Sequence, residues 1–380
     1  MKLSTSPGLA IVSTFPPTAC GLATFAAALA DGLTKNHVSD IGIVRCAVDD
    51  LPANDERVVA TLDPERSSSI KEAAVALNSY DCAFLQHEFG IFGGHDGDDV
   101  LRLMSNLEVP VVTTLHTIPT SPSAHQRRTL ERVVAGSQRV VTMTQVARDR
   151  LLNLYDVDPG DVVTIPHGAT LPPPVAPRPT PAPLVLTWGL LGPGKGIEWV
   201  IDALAVVSDV VPRITYLIAG RTHPKVKARQ GETYRESLRE RARANGVESQ
   251  VVFDQIYRSV PELLELIRSA AVVVLPYDSD DQVTSGVLVD AVAAGVPVIA
   301  TDFPHARELL ADGAGYVVPH RDPLAIAHAL RTIVTHPNIA RDMRRRAEEL
   351  ARSHDWSTVA HSYLDLVPMV ATSNDRKVAS

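Results

Sequence analysis

The sequence predicts an α/β protein built from two doubly wound domains that face each other across a cleft. Three observations carry that expectation. Short continuous apolar runs such as Leu9–Ser13, Val111–Leu115 and Val272–Leu275 have the pattern of strands buried on both faces of a parallel sheet. They alternate with segments that carry apolar residues on one helical face, the order that builds βαβ units. The alternation breaks once, at residues 171–183, where LPPPVAPRPTPAP holds seven prolines. Such a stretch is stiff and extended, and it reads as a linker. The expected division is therefore 1–170, the linker 171–183, 184–355, and a closing segment 356–380 whose tail looks disordered.

Bulk properties agree. The chain has 380 residues, natural for two domains, and its 45% hydrophobic content supports full globular cores. A net charge of −8 with no long basic run argues against nucleic acid as the main partner. Cys20, Cys46 and Cys82 are widely spaced, odd in number and form no metal-ligand pattern, so they read as reduced thiols of a cytoplasmic protein. The apolar part of MKLSTSPGLAIVSTF is too short for a signal peptide, and no run reaches transmembrane length. No basic amphipathic helix stands out, which leaves open only weak peripheral membrane contact.

In the first half, Leu9–Ser13 reads as a strand, and Leu22, Phe25, Leu29 and Leu33 then fall on one face of a helix. Between them, Pro16-Pro17 and Gly21 shape a loop at the carboxyl end of the strand, the edge where open α/β sheets bind ligands. Gly21 there marks either a tight turn or a close backbone approach to a ligand. Ile41–Val44 and Cys82–Leu85 are further strands, the second followed by QHEFGIFGGHDGDD. Four glycines, two histidines and several acids directly after a strand mark a substrate-lining loop, with His87 and Glu88 as its first polar groups. His87, Glu88 and His95 match no zinc spacing, so no metal is expected. Val111–Leu115 ends in His116, either a locally bonded core residue or a group reaching the ligand edge. Val140–Met143, the helix Gln145–Leu154 and the strand Val162–Ile165 complete this half.

The second half opens with the strand Leu184–Thr187 and WGLLGPGKGIEWVIDAL. Four glycines around Lys195, placed before a helix, make a phosphate cradle of a kind that is neither the P-loop nor GxGxxG. Ile214–Ala219 ends at Gly220-Arg221, which puts Arg221 on the same edge. A charged helical stretch follows over 225–243, then the strand Val251–Phe253 and the helix Val260–Ala270. Residues 272–301 read as one strand–loop–helix–strand unit. Its loop, DSDDQVTSG, meets a helix N-terminus, where free N–H groups and the helix dipole suit a phosphate. Asp290 lies one turn beyond Gly286 on the same face. A carboxylate flanked by Val, Leu and Ala is costly to bury without hydrogen-bond donors, and a sugar diol supplies two. Short elements at Ala306–Leu310 and Tyr316–Val318 precede the helices Asp322–Thr335, Ile339–Arg352 and Trp356–Leu366.

Read together, GLLGPGKGIE, LIAGR and DAVAAGVPVIATDFPHARELL resemble the retaining GT-B glycosyltransferases of glycosyltransferase family 4, whose fold is two Rossmann-like domains. The resemblance covers nearly the whole chain and is densest over 184–323. QHEFGIFGG and DQVTSGVLVDAVAAG are similar to its mannosyltransferase-like branch. It implies that Lys195 meets the donor diphosphate together with Gly21 and the backbone of Ser285 and Gly286, and that Asp290 holds the ribose. It implies that His116 faces the donor hexose, and that the Trp356 segment is the terminal helix crossing back to the first domain. Three departures stand out. Gln282 occupies the place of the family's first glutamate, and an amide offers no negative charge to the reacting face. Asp280 or Asp281 supplies one if the loop is shifted. Leu190 replaces the arginine that usually precedes the lysine, so Arg221 is the candidate for that charge, and Asp290 is one methylene shorter than glutamate.

The implied reaction is transfer of a hexosyl group, with retention, from a nucleotide-diphosphate sugar to a hydroxyl of a carbohydrate or glycoconjugate acceptor. The branch resemblance leans to GDP-mannose as co-substrate. No cofactor or metal is required, because Lys195 and helix N-termini offset the leaving group's charge. Domain closure would exclude water. The alternatives are a GT-B phosphorylase or epimerase, and a non-catalytic sugar-nucleotide-binding protein.

Overall fold

Two sheets, parallel throughout, organise the chain. The computed structural model describes residues 7–49, 51–52, 54–173, 182–210, 212–256 and 258–367, so most of the proline-rich linker and the tail beyond 367 lie outside it. The chain divides into two compact units, Met1–Gly168 with Asp355–Ser380, and Ala169–His354.

The first unit runs β1 (Leu9–Ser13), α1 (Gly21–Lys35), β2 (Ile41–Cys46), β3 (Val58–Leu62), α2 (Ser69–Leu77), β4 (Cys82–His87), α3 (Asp99–Met104), β5 (Val111–Leu115), α4 (Ala124–Ala135), β6 (Arg139–Thr142), α5 (Gln145–Leu154) and β7 (Val162–Thr164). Its strand order is β3-β2-β1-β4-β5-β6-β7, so the winding reverses between β1 and β4. β1, β2, β4 and β5 are buried along their whole length and are mostly apolar. β3 sits at the sheet edge with a mixed exposure pattern and has no comparable signature.

The second unit runs β8 (Leu184–Trp188), α6 (Ile197–Val206), β9 (Thr215–Ala219), α7 (Pro224–Gln230), α8 (Thr233–Ala244), β10 (Val251–Asp254), α9 (Val260–Ser269), β11 (Val272–Leu275), α10 (Gly286–Ala293), β12 (Val298–Thr301), α11 (Pro304–Leu309), β13 (Gly315–Val318), α12 (Pro323–Thr335) and α13 (Pro337–His354). Its order is β10-β9-β8-β11-β12-β13, reversing between β8 and β11. The last helix, α14 (Trp356–Leu364), belongs to the first unit and packs on α1. Asn36 donates from Nδ2 to the Ser357 carbonyl at 2.9 Å, and the Tyr363 and Thr114 hydroxyls meet at 2.9 Å. Phe25, Leu29 and Leu33 are buried where α1 joins the core that α14 completes. Each such side chain contributes roughly 1.5–3 kcal/mol by leaving water.

One sequence expectation shifts the chemistry. β4 does not stop at Leu85: Gln86 and His87 continue the ladder opposite Thr114 and Leu115. His87 therefore lies in a strand, fully buried, and is not a loop residue facing an acceptor.

Candidate functional site

Where the winding reverses, the loops on either side leave the sheet next to each other at its carboxyl edge, the place where open α/β sheets generally bind ligands. In the second unit these are residues 189–196 after β8 and 276–285 after β11. They are stitched together by the Asp278 N–H, which donates to the Gly194 carbonyl at 2.9 Å. Gly196, the N-cap of α6, has φ +66°, and a Cβ there would lie 1.7 Å from the Pro276 oxygen. Gly196→Ala combines that clash with a left-handed backbone, a loss of about 2 kcal/mol or more. For a unit of this size the expected fall in Tm is about 4–8 °C by thermal denaturation, and an unchanged Tm would mean the two loops do not touch.

Lys195 stands at the end of the first loop, half-buried, with Nζ 4.4 Å from the centroid of the Tyr277 ring. Burial pulls its pKa down, so its charge is under-solvated and an anion beside it would be strongly favoured. The second loop is braced on several sides. The Tyr277 carbonyl accepts hydrogen bonds from the Thr301 hydroxyl at 2.6 Å and His320 Nδ1 at 2.8 Å. Asp278 accepts from Trp199 Nε1 at 3.0 Å and lies 3.4 Å from Arg321 Nε. His320 Nε2 comes within 3.1 Å of Asp280.

The loop ends at Ser285, the N-cap of α10, whose hydroxyl accepts the Leu288 N–H at 3.3 Å. The Ser285 N–H is itself engaged, donating to His305 Nδ1 at 2.8 Å. Among the described residues, the amides left without a hydrogen-bond partner at this helix end are those of Gly286 and Val287. The open pair thus lies one residue beyond the Ser285-Gly286 pair that the sequence singles out. His305 is nearly fully buried, and its own N–H donates to the Gln282 carbonyl at 3.3 Å, so one residue ties down both ends of 282–285. Nothing in the local sequence marks it, because its partners lie about twenty residues upstream. The Gln282 side chain folds back on its own loop and donates to the Thr284 carbonyl at 3.2 Å. Asp281 is exposed.

Asp290 is half-buried on the first full turn of α10, with no donor to its carboxylate among the described residues. Burial pushes its pKa up to about 7. Arg221 is at the end of β9, exposed, with Nε donating to the Gln255 carbonyl at 3.1 Å.

In the first unit, the reversal lies between β1 and β4. Gly21 is the exposed first residue of α1, where Cys20 Sγ caps the Ala23 N–H at 3.4 Å. A Cβ at Gly21 would meet nothing within 4 Å, so the position has room beside it. His116, just past β5, meets Phe25 in a T-shaped contact with ring centroids 5.0 Å apart. Its Nε2 pairs with Gln86 Oε1 at 2.8 Å, which puts the proton on Nε2 and leaves the Nδ1 lone pair. Burial first, then the neighbouring His167 and His87, hold its pKa down to about 3, so the ring is neutral. His87 is neutral too, its pKa lowered by burial to about 4, and it packs between Phe89 and Phe92. Glu88 does face the loop, where the Thr117 hydroxyl donates to its carboxylate.

Residues 20–171 match the family model described as Glycosyltransferase Family 4, and residues 173–350 match the one described as Glycosyl transferases group 1. Among curated relatives, a D-inositol 3-phosphate glycosyltransferase of Streptomyces avermitilis is 27% identical over 66% of this chain and 55% of its own length. A phosphatidyl-myo-inositol mannosyltransferase of Mycobacterium leprae is 31% identical over 58% of this chain and 57% of its own. The match thus spans little more than half the length of these relatives. Among solved structures, a glycosyltransferase from Rickettsia africae superposes with a TM-score of 0.75 at 12% identity, covering 96% of this chain and 99% of that one. Anabaena HepE in complex with UDP gives 0.69 at 16% identity, over 95% and 100%. At such identities the likeness concerns the fold, which is GT-B, with a Rossmann-like sheet in each unit. The two family models meet at the linker and between them take in nearly the whole described chain, which belongs to the group 1, family 4 glycosyltransferases.

Proposed function

We propose that the chain transfers a hexosyl group, with retention of anomeric configuration, from a nucleotide-diphosphate sugar to an acceptor hydroxyl. The observation that carries this reading is the start of α10. Two amides, Gly286 and Val287, stand there one turn before the Asp290 carboxylate, and among the described residues none of the three has a hydrogen-bond partner. Amides at the positive end of a helix suit the diphosphate, and the carboxylate suits the ribose diol. Lys195 supplies one positive charge, with Arg221 as a second cation on the neighbouring strand end. As the bond from the anomeric carbon to the diphosphate breaks, negative charge accumulates on the leaving oxygen, and these groups favour that state. The anomeric carbon forms its new bond to the acceptor oxygen, and the acceptor proton passes to the departing diphosphate, since Gln282 is an amide and takes none. His116, neutral with its Nδ1 lone pair open, is suited to accept a hydrogen bond from a sugar hydroxyl and not to act as an acid.

Mannose from GDP-mannose is the favoured donor, supported by the branch resemblance and by the mannosyltransferase named among the relatives. Those relatives are also named for inositol-bearing substrates, so a cyclitol phosphate or its lipid conjugate is the first acceptor class to try. The test is a thermal-shift panel of GDP- and UDP-sugars followed by a transfer assay. At a hundredfold excess over Kd the right donor adds about 2.7 kcal/mol. GDP-mannose is expected to raise Tm by several degrees and UDP-sugars by less. A UDP-sugar shifting Tm more would overturn the donor assignment, and binding without turnover on any acceptor would leave a nucleotide-sugar-binding protein.

A further inference from the structure

The glycine-rich loop after β4 bends toward the start of α4, and four side chains meet there that the proposed transfer does not use. His95 Nδ1 lies 3.4 Å from Asp96 Oδ2, and His125 Nδ1 lies 3.3 Å from the same oxygen. The two rings meet edge-on with centroids 4.4 Å apart. One ligand atom from each of His95, Asp96 and His125 falls within 4.8 Å of the other two. A tetrahedral cation with bonds of about 2.0–2.1 Å holds its ligand atoms about 3.3 Å apart. Two of the three edges already have that length, and the third closes by a turn of His95, the exposed member.

The fourth side chain takes a supporting place. Asp98 Oδ2 is 3.3 Å from His125 Nε2. His125 Nδ1 hydrogen-bonds the Asp96 oxygen at 3.3 Å, and a cation in place of that proton would move the ring N–H to Nε2, beside Asp98. Carboxylate–histidine–metal relays have this form.

The backbone is built to hold this cluster. Asp96 adopts φ +51°. Gly94 has φ +81°, and a Cβ there would lie 2.1 Å from Asp98 Oδ1, displacing the carboxylate that orients His125. On the other side, His125 is the second residue of α4, whose first turn is fixed by a capping box between Ser123 and Gln126. His125 stands 29 residues from Asp96, so no local motif announces the set.

We propose that His95, Asp96 and His125 bind one divalent transition cation of the zinc class, with water as fourth ligand and Asp98 orienting His125. Two imidazoles favour zinc, nickel or copper over calcium or magnesium. The cation pins the loop after β4 to α4 and takes no part in the transfer itself. The test uses untagged full-length chain stripped with EDTA and titrated with Zn²⁺ by calorimetry, with metal content measured after dialysis. One equivalent is expected to bind. Affinity is expected to fall at least tenfold in His95→Ala, at least a hundredfold in His125→Ala and Asp96→Asn, and 10–100-fold in Asp98→Asn. His95 is 74% exposed, so its removal leaves the fold intact, and Tm in EDTA checks the other variants. Failure of the parent chain to take up one equivalent overturns the site, as does uptake undiminished in His95→Ala and His125→Ala.

Discussion

Lys195→Ala is expected to lower kcat/KM for glycosyl transfer by about 10²–10³-fold while leaving the protein folded. The magnitude follows from removing one preorganised charge from a developing oxyanion, about 2.7–4 kcal/mol. The charge is half-buried, and burial has already lowered its pKa, so water does not compete well for it and the diphosphate gains more than it would at an open surface. Stability responds much less. The side chain's visible anchor is the Tyr277 ring at 4.4 Å, a cation–π contact of about 0.5–2 kcal/mol. The two effects therefore separate in one variant: a large kinetic loss beside a Tm change of a few degrees. Most of the loss is expected in kcat, because charge builds on the leaving group only as the bond breaks. Lys195→Ala with kcat/KM within threefold of the parent would move the diphosphate away from this loop.

The strands that flank the two winding reversals stand out in the amino-acid sequence, because a strand covered on both faces is apolar over most of its length, as in Val272–Leu275 and Leu9–Ser13. What such runs cannot show is anything half-exposed. β3 is an edge strand with little buried surface, and α3 and α4 bury only a few residues each. The α4 start did carry a sign, Ser123 followed three residues later by Gln126. At the candidate site, Lys195, Gly286 and Asp290 stand out in the sequence because a loop-to-helix junction is read from local order alone. His305 is invisible to that logic, since its bond to the Ser285 amide joins segments brought together only by the sheet. His87 shows the opposite error. Its neighbours in sequence are loop-like, yet pairing with Leu115 draws it into the core.

Asp290 yields the sharpest pH dependence. Its pKa is raised from 3.8 to about 7 by burial, so the ligand-free native state holds a proton that the unfolded chain has already released. Between those values the native state binds more protons than the unfolded one, and this group's contribution to stability falls as pH rises from about 4 to 7, then levels. A ribose diol reverses the balance. Two hydroxyls donating to the carboxylate favour its ionised form, so binding releases the proton. Affinity for the nucleotide sugar is therefore expected to rise about tenfold per pH unit below pH 7 and to flatten above it. The sugar-capped diphosphate suits the measurement, because it lacks the terminal phosphate whose second ionisation, near pH 6, would add its own slope. His116 and His87, held down to about 3 and 4, stay neutral throughout that range. Asp290→Asn keeps the shape and loses the titration. It is expected to bind about 10–100-fold more weakly at pH 8, the worth of hydrogen bonds to a charged acceptor, and to bind with no such slope between pH 5.5 and 8. An equal slope in parent and Asp290→Asn would assign the proton to another group and take the ribose away from α10.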